Sequence, residues 1–213
     1  MEIFEKKVND FIEKLVNFDT SIFKRKIFNP WAEFDDSDIS SDAPKIRTDN
    51  LKKYLLNQKN AKYILIAESP SLGARYSGIA MTSEKVINAN NLSYKFSSKK
   101  SKSGKYIYEL TAKKVWDEII EKKENFVMWN AFAYNIHEKE GRWFENPTEE
   151  ELKENLKLLN SFLTLYSGAK IITIGKTAQN ALNILSFNNF ESIRHPSNDF
   201  KKEFPEQFRK YTN

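Results

Sequence analysis

The chain has 213 residues, 40% hydrophobic and 30% charged, a balance that fits a globular domain with a sizeable core and excludes a disordered chain. It contains no cysteine, which excludes a disulfide framework, a thiolate zinc site, a Cys-ligated iron–sulfur cluster and a cysteine nucleophile. Lys and Arg outnumber Asp and Glu by 34 to 29, and the net charge of +5 permits a polyanionic partner without requiring one.

No apolar run approaches the roughly 20 residues of a membrane span. The opening MEIFEKKVNDF lacks the basic-then-apolar order of a secretion signal, so a cytoplasmic location is expected. Phe4, Val8, Phe11, Ile12 and Leu15 form one stripe of a helix over 3–18. The stretch after it reads as irregular. Its acids Glu33, Asp35, Asp36, Asp38 and Asp42, beside Pro30 and Pro44, read as a solvated loop. Residues 1–50 or so are expected to be a helical extension of a single domain spanning 1–213.

An alternation then begins. Residues 62–67 form a short apolar run, expected to be a buried strand, and 82–89 a short helix capped by Thr82 or Ser83. The segment Tyr94–Lys105 holds Lys95, Lys99, Lys100, Lys102 and Lys105 with no acid, and its serines mark it as a mobile basic loop. A helix is expected over 111–122 and a strand over 126–130. Thr148 with Glu151 forms a capping box that opens a helix running to about Tyr166. Strand 170–174, helix 176–185, strand 190–194 and a last helix over about 205–210 complete the chain. Strands alternating with helices predict an α/β fold, a three-layer αβα sandwich around a mostly parallel four-stranded sheet.

In such sheets ligands sit outside the carboxyl ends of the strands. The residues that fall there are Glu68-Ser-Pro-Ser71, Asn130, Gly175-Lys176 and His195-Pro-Ser197. A carboxylate, a carboxamide and an imidazole thus converge on one edge, which suits acid–base or electrostatic catalysis. No G-x-S-x-G elbow, phosphate-binding loop or G-x-G-x-x-G fingerprint is present. With two histidines and no cysteine, zinc chemistry is disfavoured.

The ordered set resembles the uracil-DNA glycosylase superfamily over roughly residues 62–200. Ile66-Ala-Glu-Ser-Pro-Ser71 is similar to that family's G-E-x-P-G motif, and Gly73–Glu84 to the segment lining its base pocket. Met128-Trp-Asn-Ala-Phe132 resembles the strand whose Asn reads uracil. Ile174-Gly-Lys-Thr-Ala178 matches its strand–glycine–helix step, and Ile193-Arg-His-Pro-Ser-Asn198 its H-P-S motif. Each motif alone is weak; four in family order, with Gly73–Glu84 counted as the continuation of the first, are specific. The lack of cysteine points to a cluster-free bacterial-type member, with no cofactor or metal.

The resemblance implies a repair enzyme, a monomer acting on DNA, that cleaves the N-glycosidic bond of uracil or a related deaminated base. Glu68 would position water and stabilise the oxocarbenium-like sugar. His195 would donate a hydrogen bond to the leaving base near its O2. Asn130 would accept from N3–H and donate to O4, favouring uracil over cytosine. Ser69, Pro70 and Ser71 would hold the flipped base. Met81 stands where the family has a stacking Phe, Ala80 replaces a proline, and Ala67 and Ser71 replace glycines. Tyr76 is the candidate for excluding the 5-methyl of thymine. Arg194, Ser197, Asn198 and Phe200, with Lys99, Lys100 and Lys102, are the expected DNA contacts. Phe200 or Phe204 is the candidate wedge, with a core position favoured for Phe204, and His137 is a candidate for the pocket rim. Three alternatives stay open: a non-catalytic nucleic-acid-binding protein on the same fold, a glycosylase for hypoxanthine or xanthine, and a small-molecule nucleoside or nucleotide enzyme.

Overall fold

A computed structural model describes residues 2–136, 146–198 and 203–212. The first half contains α1 (Glu2–Val16), β1 (Ile27–Phe28), α2 (Ala43–Asn57), β2 (Tyr63–Ala67), α3 (Leu72–Ser77), α4 (Glu84–Ala89) and α5 (Lys99–Lys102). The second contains α6 (Leu110–Ile119), β3 (Phe126–Asn130), β4 (Asn135–Ile136), α7 (Glu149–Leu165), β5 (Lys170–Ile174), α8 (Lys176–Ile184), β6 (Glu191–Ile193) and α9 (Glu203–Thr212).

Four strands form one all-parallel sheet in the order β3-β2-β5-β6. Side chains alternate across such a sheet. On β3, Trp129 turns to one face and packs against Phe11 of α1 and Phe162 of α7, with ring centroids 5.2 and 4.9 Å away. Phe126 turns to the other and meets Phe208 of α9 at 5.4 Å. Helices therefore cover both faces, giving the expected three layers, and both strand faces are apolar because neither meets water. The register sets Ala67 opposite Asn130 and Ile174 opposite Ile193. The strands end level, so the residues that follow them emerge along one edge.

The acidic stretch departs from its reading as a solvated loop. Asp38 is fully buried in an ion pair with Arg47 of α2 at 2.7 Å, and Asp35 pairs with Arg75 of α3. The cations that neutralise these acids come from two helices that the sequence pattern did not reveal. In α2 the buried stripe is Ala43, Arg47, Asn50, Leu51, Tyr54 and Leu55, so two polar residues stand where an apolar periodicity needs hydrophobic ones. Tertiary partners satisfy both. Arg47 also donates to the Pro30 and Glu33 carbonyls, and Asn50 donates to the Ser77 and Lys95 carbonyls. A small antiparallel ribbon, β1 with β4, was likewise unexpected.

The serine-rich basic segment is not the free loop its composition implied. Ser97 and Ser98 are buried, and Ser98 caps the short α5 through the Ser101 N–H at 3.1 Å. Its serines bind a buried carboxylate, Glu84, while Lys99, Lys100 and Lys102 stay exposed.

Candidate active site

A cavity of about 540 Å³ opens at the carboxyl ends of the sheet strands, lined there by Ala67, Glu68, Ser69, Asn130, His195 and Ser197. This is the size of a pocket for a small organic ligand. It is also lined by Ser71, Leu72, Gly73 and Met81 together with the segment 107–111.

Glu68 follows β2. Its carbonyl accepts from Phe132 N–H at 2.9 Å, which extends the β2–β3 pairing past the strand ends and fixes its backbone. Its side-chain Oε1 accepts from the Thr177 hydroxyl at 3.2 Å, in the first turn of α8. Gly175, between β5 and α8, adopts φ +88°, a left-handed conformation that favours glycine. A Cβ there would lie 3.3 Å from Glu68 Oε1 and 3.5 Å from His195 Cβ and Cδ2. The bare backbone at 175 thus lets the carboxylate and the imidazole close in from two sides.

His195 Nδ1 accepts from the Ser197 N–H at 3.3 Å and lies 2.7 Å from its hydroxyl. A backbone N–H can only donate, so the neutral ring carries its proton on Nε2. Burial pushes the imidazole below its ordinary value of 6.5, against the opposing pull of the Glu68 carboxylate. Near neutral pH the ring is therefore a neutral donor. Asn130 is 4% exposed, lines the cavity, and its carboxamide makes no hydrogen bond within the described residues. That leaves both its donor and its acceptor available.

The loop after Glu68 is held in a definite shape. Asn135 Nδ2 donates to the Pro70 carbonyl at 2.7 Å and the Ser71 carbonyl at 3.2 Å. Ser71 has an extended backbone, and its hydroxyl caps α3 by accepting from Ala74 N–H at 3.2 Å. No glycine conformation is needed at that position. The left-handed residue is Met81 instead, at φ +49° with 3% exposure. Such a backbone in a non-glycine residue stores about 1–3 kcal/mol and clusters at ligand sites.

Other sequence candidates lie elsewhere. Tyr76 is buried with the Arg75 guanidinium 5.2 Å from its ring centre, and it does not line the cavity. Pro70 borders a separate small crevice with Trp31 and Trp129, which Asn130 also touches. Arg194 is exposed and pairs with Glu203 at 3.2 Å. Lys99 donates to the Asp36 carbonyl at 2.6 Å. Asn198 ends a short turn of 3-10 helix, Pro196–Asn198. Phe204 is fully buried against Phe208. Phe200 and His137 lie outside the described residues. Among the described residues no group of three or more His, Asp or Glu side chains is placed to hold a metal ion, and no helix is long and apolar enough to cross a membrane.

Sequence reading passed over Glu109. It precedes α6, lines the cavity, and its Oε2 is buried with no hydrogen-bond partner among the described residues. Burial raises the carboxyl from an ordinary value of 4.5 to about 7; the Ser71 hydroxyl and the Ala74 N–H oppose the shift without satisfying Oε2. One faint signal exists in the sequence. Glu109 is the sole acid between Glu84 and Asp117, and it sits in the apolar run Ile107-Tyr-Glu-Leu110.

No protein-family model and no curated protein matches the chain. Its fold does have a solved counterpart. The crystal structure of wild-type SMUG2 from Pedobacter heparinus aligns with a TM-score of 0.64 over 98% of this chain and 94% of that one, at 16% identity. SMUG2 is a member of the uracil-DNA glycosylase superfamily, and the present chain shares its fold.

Proposed function

We propose that this protein is a DNA glycosylase of the uracil-DNA glycosylase superfamily, hydrolysing the N-glycosidic bond of uracil or a related deaminated base and leaving an abasic site. The observation that carries this reading is the meeting of Glu68, Asn130 and His195 at one cavity, with Glu68 and His195 both packed against the bare backbone of Gly175. The shared fold with SMUG2 supports it independently.

The target base leaves the stack and enters the cavity. As the glycosidic bond lengthens, positive charge grows on the sugar and negative charge on the base. The Glu68 carboxylate stabilises the first and orients the attacking water. His195 Nε2–H donates to the oxygen on which the second accumulates, and the Ser197 hydrogen bonds hold the ring in the tautomer that can do so. The carboxamide of Asn130 reads the base edge. Exposed Lys100 and Lys102, with Arg194, meet the phosphates of DNA.

The test is single-turnover excision from end-labelled oligonucleotides carrying uracil, hypoxanthine or xanthine, single- and double-stranded, with alkaline cleavage of abasic sites. Product at one or more lesions is expected. Glu68→Gln and His195→Ala should each slow it by roughly 10²–10³-fold with DNA binding retained. Full activity in the double variant would overturn the mechanism. DNA binding without product at any lesion would favour a non-catalytic protein.

A further inference from the structure

We propose that Glu109 is a specificity-determining residue of this cavity, donating its carboxylic O–H to a carbonyl oxygen of the extruded base. The proposal rests on the glycosylase reading and adds to it a residue that the resemblance does not supply.

Four observations meet at this side chain. It lines the same cavity as Glu68, Asn130 and His195. Its Oε2 is buried and unpartnered among the described residues, although buried polar atoms are almost always satisfied and an exception calls for a ligand or an unseen partner. It is seated on glycine: a Cβ at Gly73 would stand 2.6 Å from Oε2, so any other residue at 73 would displace the carboxyl from the wall. Although Glu109 stands at the N-cap of α6, its side chain makes no capping bond, so it is not consumed by holding the helix.

The protonation state follows from the surroundings. Glu68 and His195 line the same cavity, and next to it on its own segment lies Tyr108. The crevice on its other side brings Lys85 from α4 and Lys113 and Asp117 from α6. Lys85 lies over the Tyr108 ring, and Lys113 is bound to Asp117. Among the described residues no cation pairs with the Glu109 carboxyl, and burial favours the neutral acid up to about pH 7. A neutral carboxylic acid has an O–H to give, whereas a carboxylate can only accept. Rotation about the last side-chain torsion, broad and roughly two-fold in Glu, presents either oxygen to a ligand.

Deamination replaces an exocyclic amine, a donor, with a carbonyl, an acceptor. A donor in the wall therefore selects the deaminated base over its parent, since the wrong base leaves a buried donor unpaired. The ionised form loses the donor and sets a negative charge against the same carbonyl.

Single-turnover excision is measured from pH 5.5 to 9 on the best lesion substrate for the wild type, Glu109→Gln and Glu109→Leu, with thermal melting of each as the folding control. The wild-type rate should fall about tenfold or more as pH rises through about 7. Gln keeps an N–H donor that does not ionise, so this alkaline limb should vanish. Leu should cost at least about tenfold across the range, and Gln should recover most of that loss. An unchanged alkaline limb in Glu109→Gln, with wild-type excision intact, overturns this proposal alone. No excision by the wild type at any lesion overturns the glycosylase reading and this proposal with it. If the Leu variant does not fold, the Gln profile decides.

Discussion

Glu84 and Glu109 are two carboxyls set at the starts of neighbouring helices, α4 and α6, in opposite surroundings. Glu84 is 1% exposed and fully engaged. It accepts from Ser97 N–H at 2.5 Å, Ser98 N–H at 3.1 Å and the hydroxyls of Ser98 and Ser101. Glu109 has a buried oxygen with no partner among the described residues, at the wall of a cavity. The first is a structural joint: it ties the basic segment 97–101 to the body of the protein. The second has a polar atom that the described residues leave unsatisfied, an arrangement that costs about 1–3 kcal/mol. Folding alone gives no return for that arrangement; a ligand would. Burial of a carboxyl therefore does not reveal its role until its hydrogen bonds are counted.

Breaking the joint should have the largest effect on stability. Glu84→Ala strands the buried Ser97 and Ser98 N–H groups and should cost ~3 kcal/mol. Denaturant unfolding would show it, and amide exchange over 97–105 should speed up. A loss below about 1 kcal/mol would mean that the serine cage is not what holds this segment.

The cavity carboxyl should respond to pH in the other direction. Its folded value is raised above its unfolded one, so the stability it contributes is complete below pH 4.5 and is lost as pH rises through about 7. Ionising it in place costs the fold ~3 kcal/mol. Glu109→Gln removes that cost and should raise the melting temperature by several degrees at pH 8 with little change at pH 4.5. Equal melting temperatures of variant and wild type at both pH values would mean that Glu109 ionises freely.

The smallest effect belongs to what the Glu84 joint carries. Lys100 and Lys102 are exposed on α5. Each change to Ala should weaken DNA binding uniformly across sequences and reduce the slope of log affinity against log salt by about 1. An unchanged slope would place the DNA elsewhere on the surface.

Local patterns alone were enough for the sheet and the edge it presents. The apolar runs at 63–67, 126–130 and 170–174 are buried on both faces, so they read as strands without knowledge of their neighbours. The Thr148–Glu151 capping box is a contact three residues long and is present as expected, at 3.2 and 2.8 Å. Glu68, Asn130 and His195 were visible for the same reason: each stands at or just past a strand end, and parallel strands bring such residues to one edge.

What tertiary structure decided is whatever depended on a distant partner. Helix α2 was hidden because Arg47 and Asn50 occupy its buried stripe, and their partners lie up to 50 residues away. The acids Asp35 and Asp38 were read as solvated because the arginines that neutralise them sit on elements not yet recognised. Serines at 97–101 suggested mobility because a hydroxyl looks alike whether it faces water or a buried carboxylate. Glu109 acquires its character only when segment 107–110 folds against Gly73, where the missing side chain leaves room for a carboxyl oxygen that is buried there. A side chain's polarity is written in the sequence; its desolvation belongs to the packed chain.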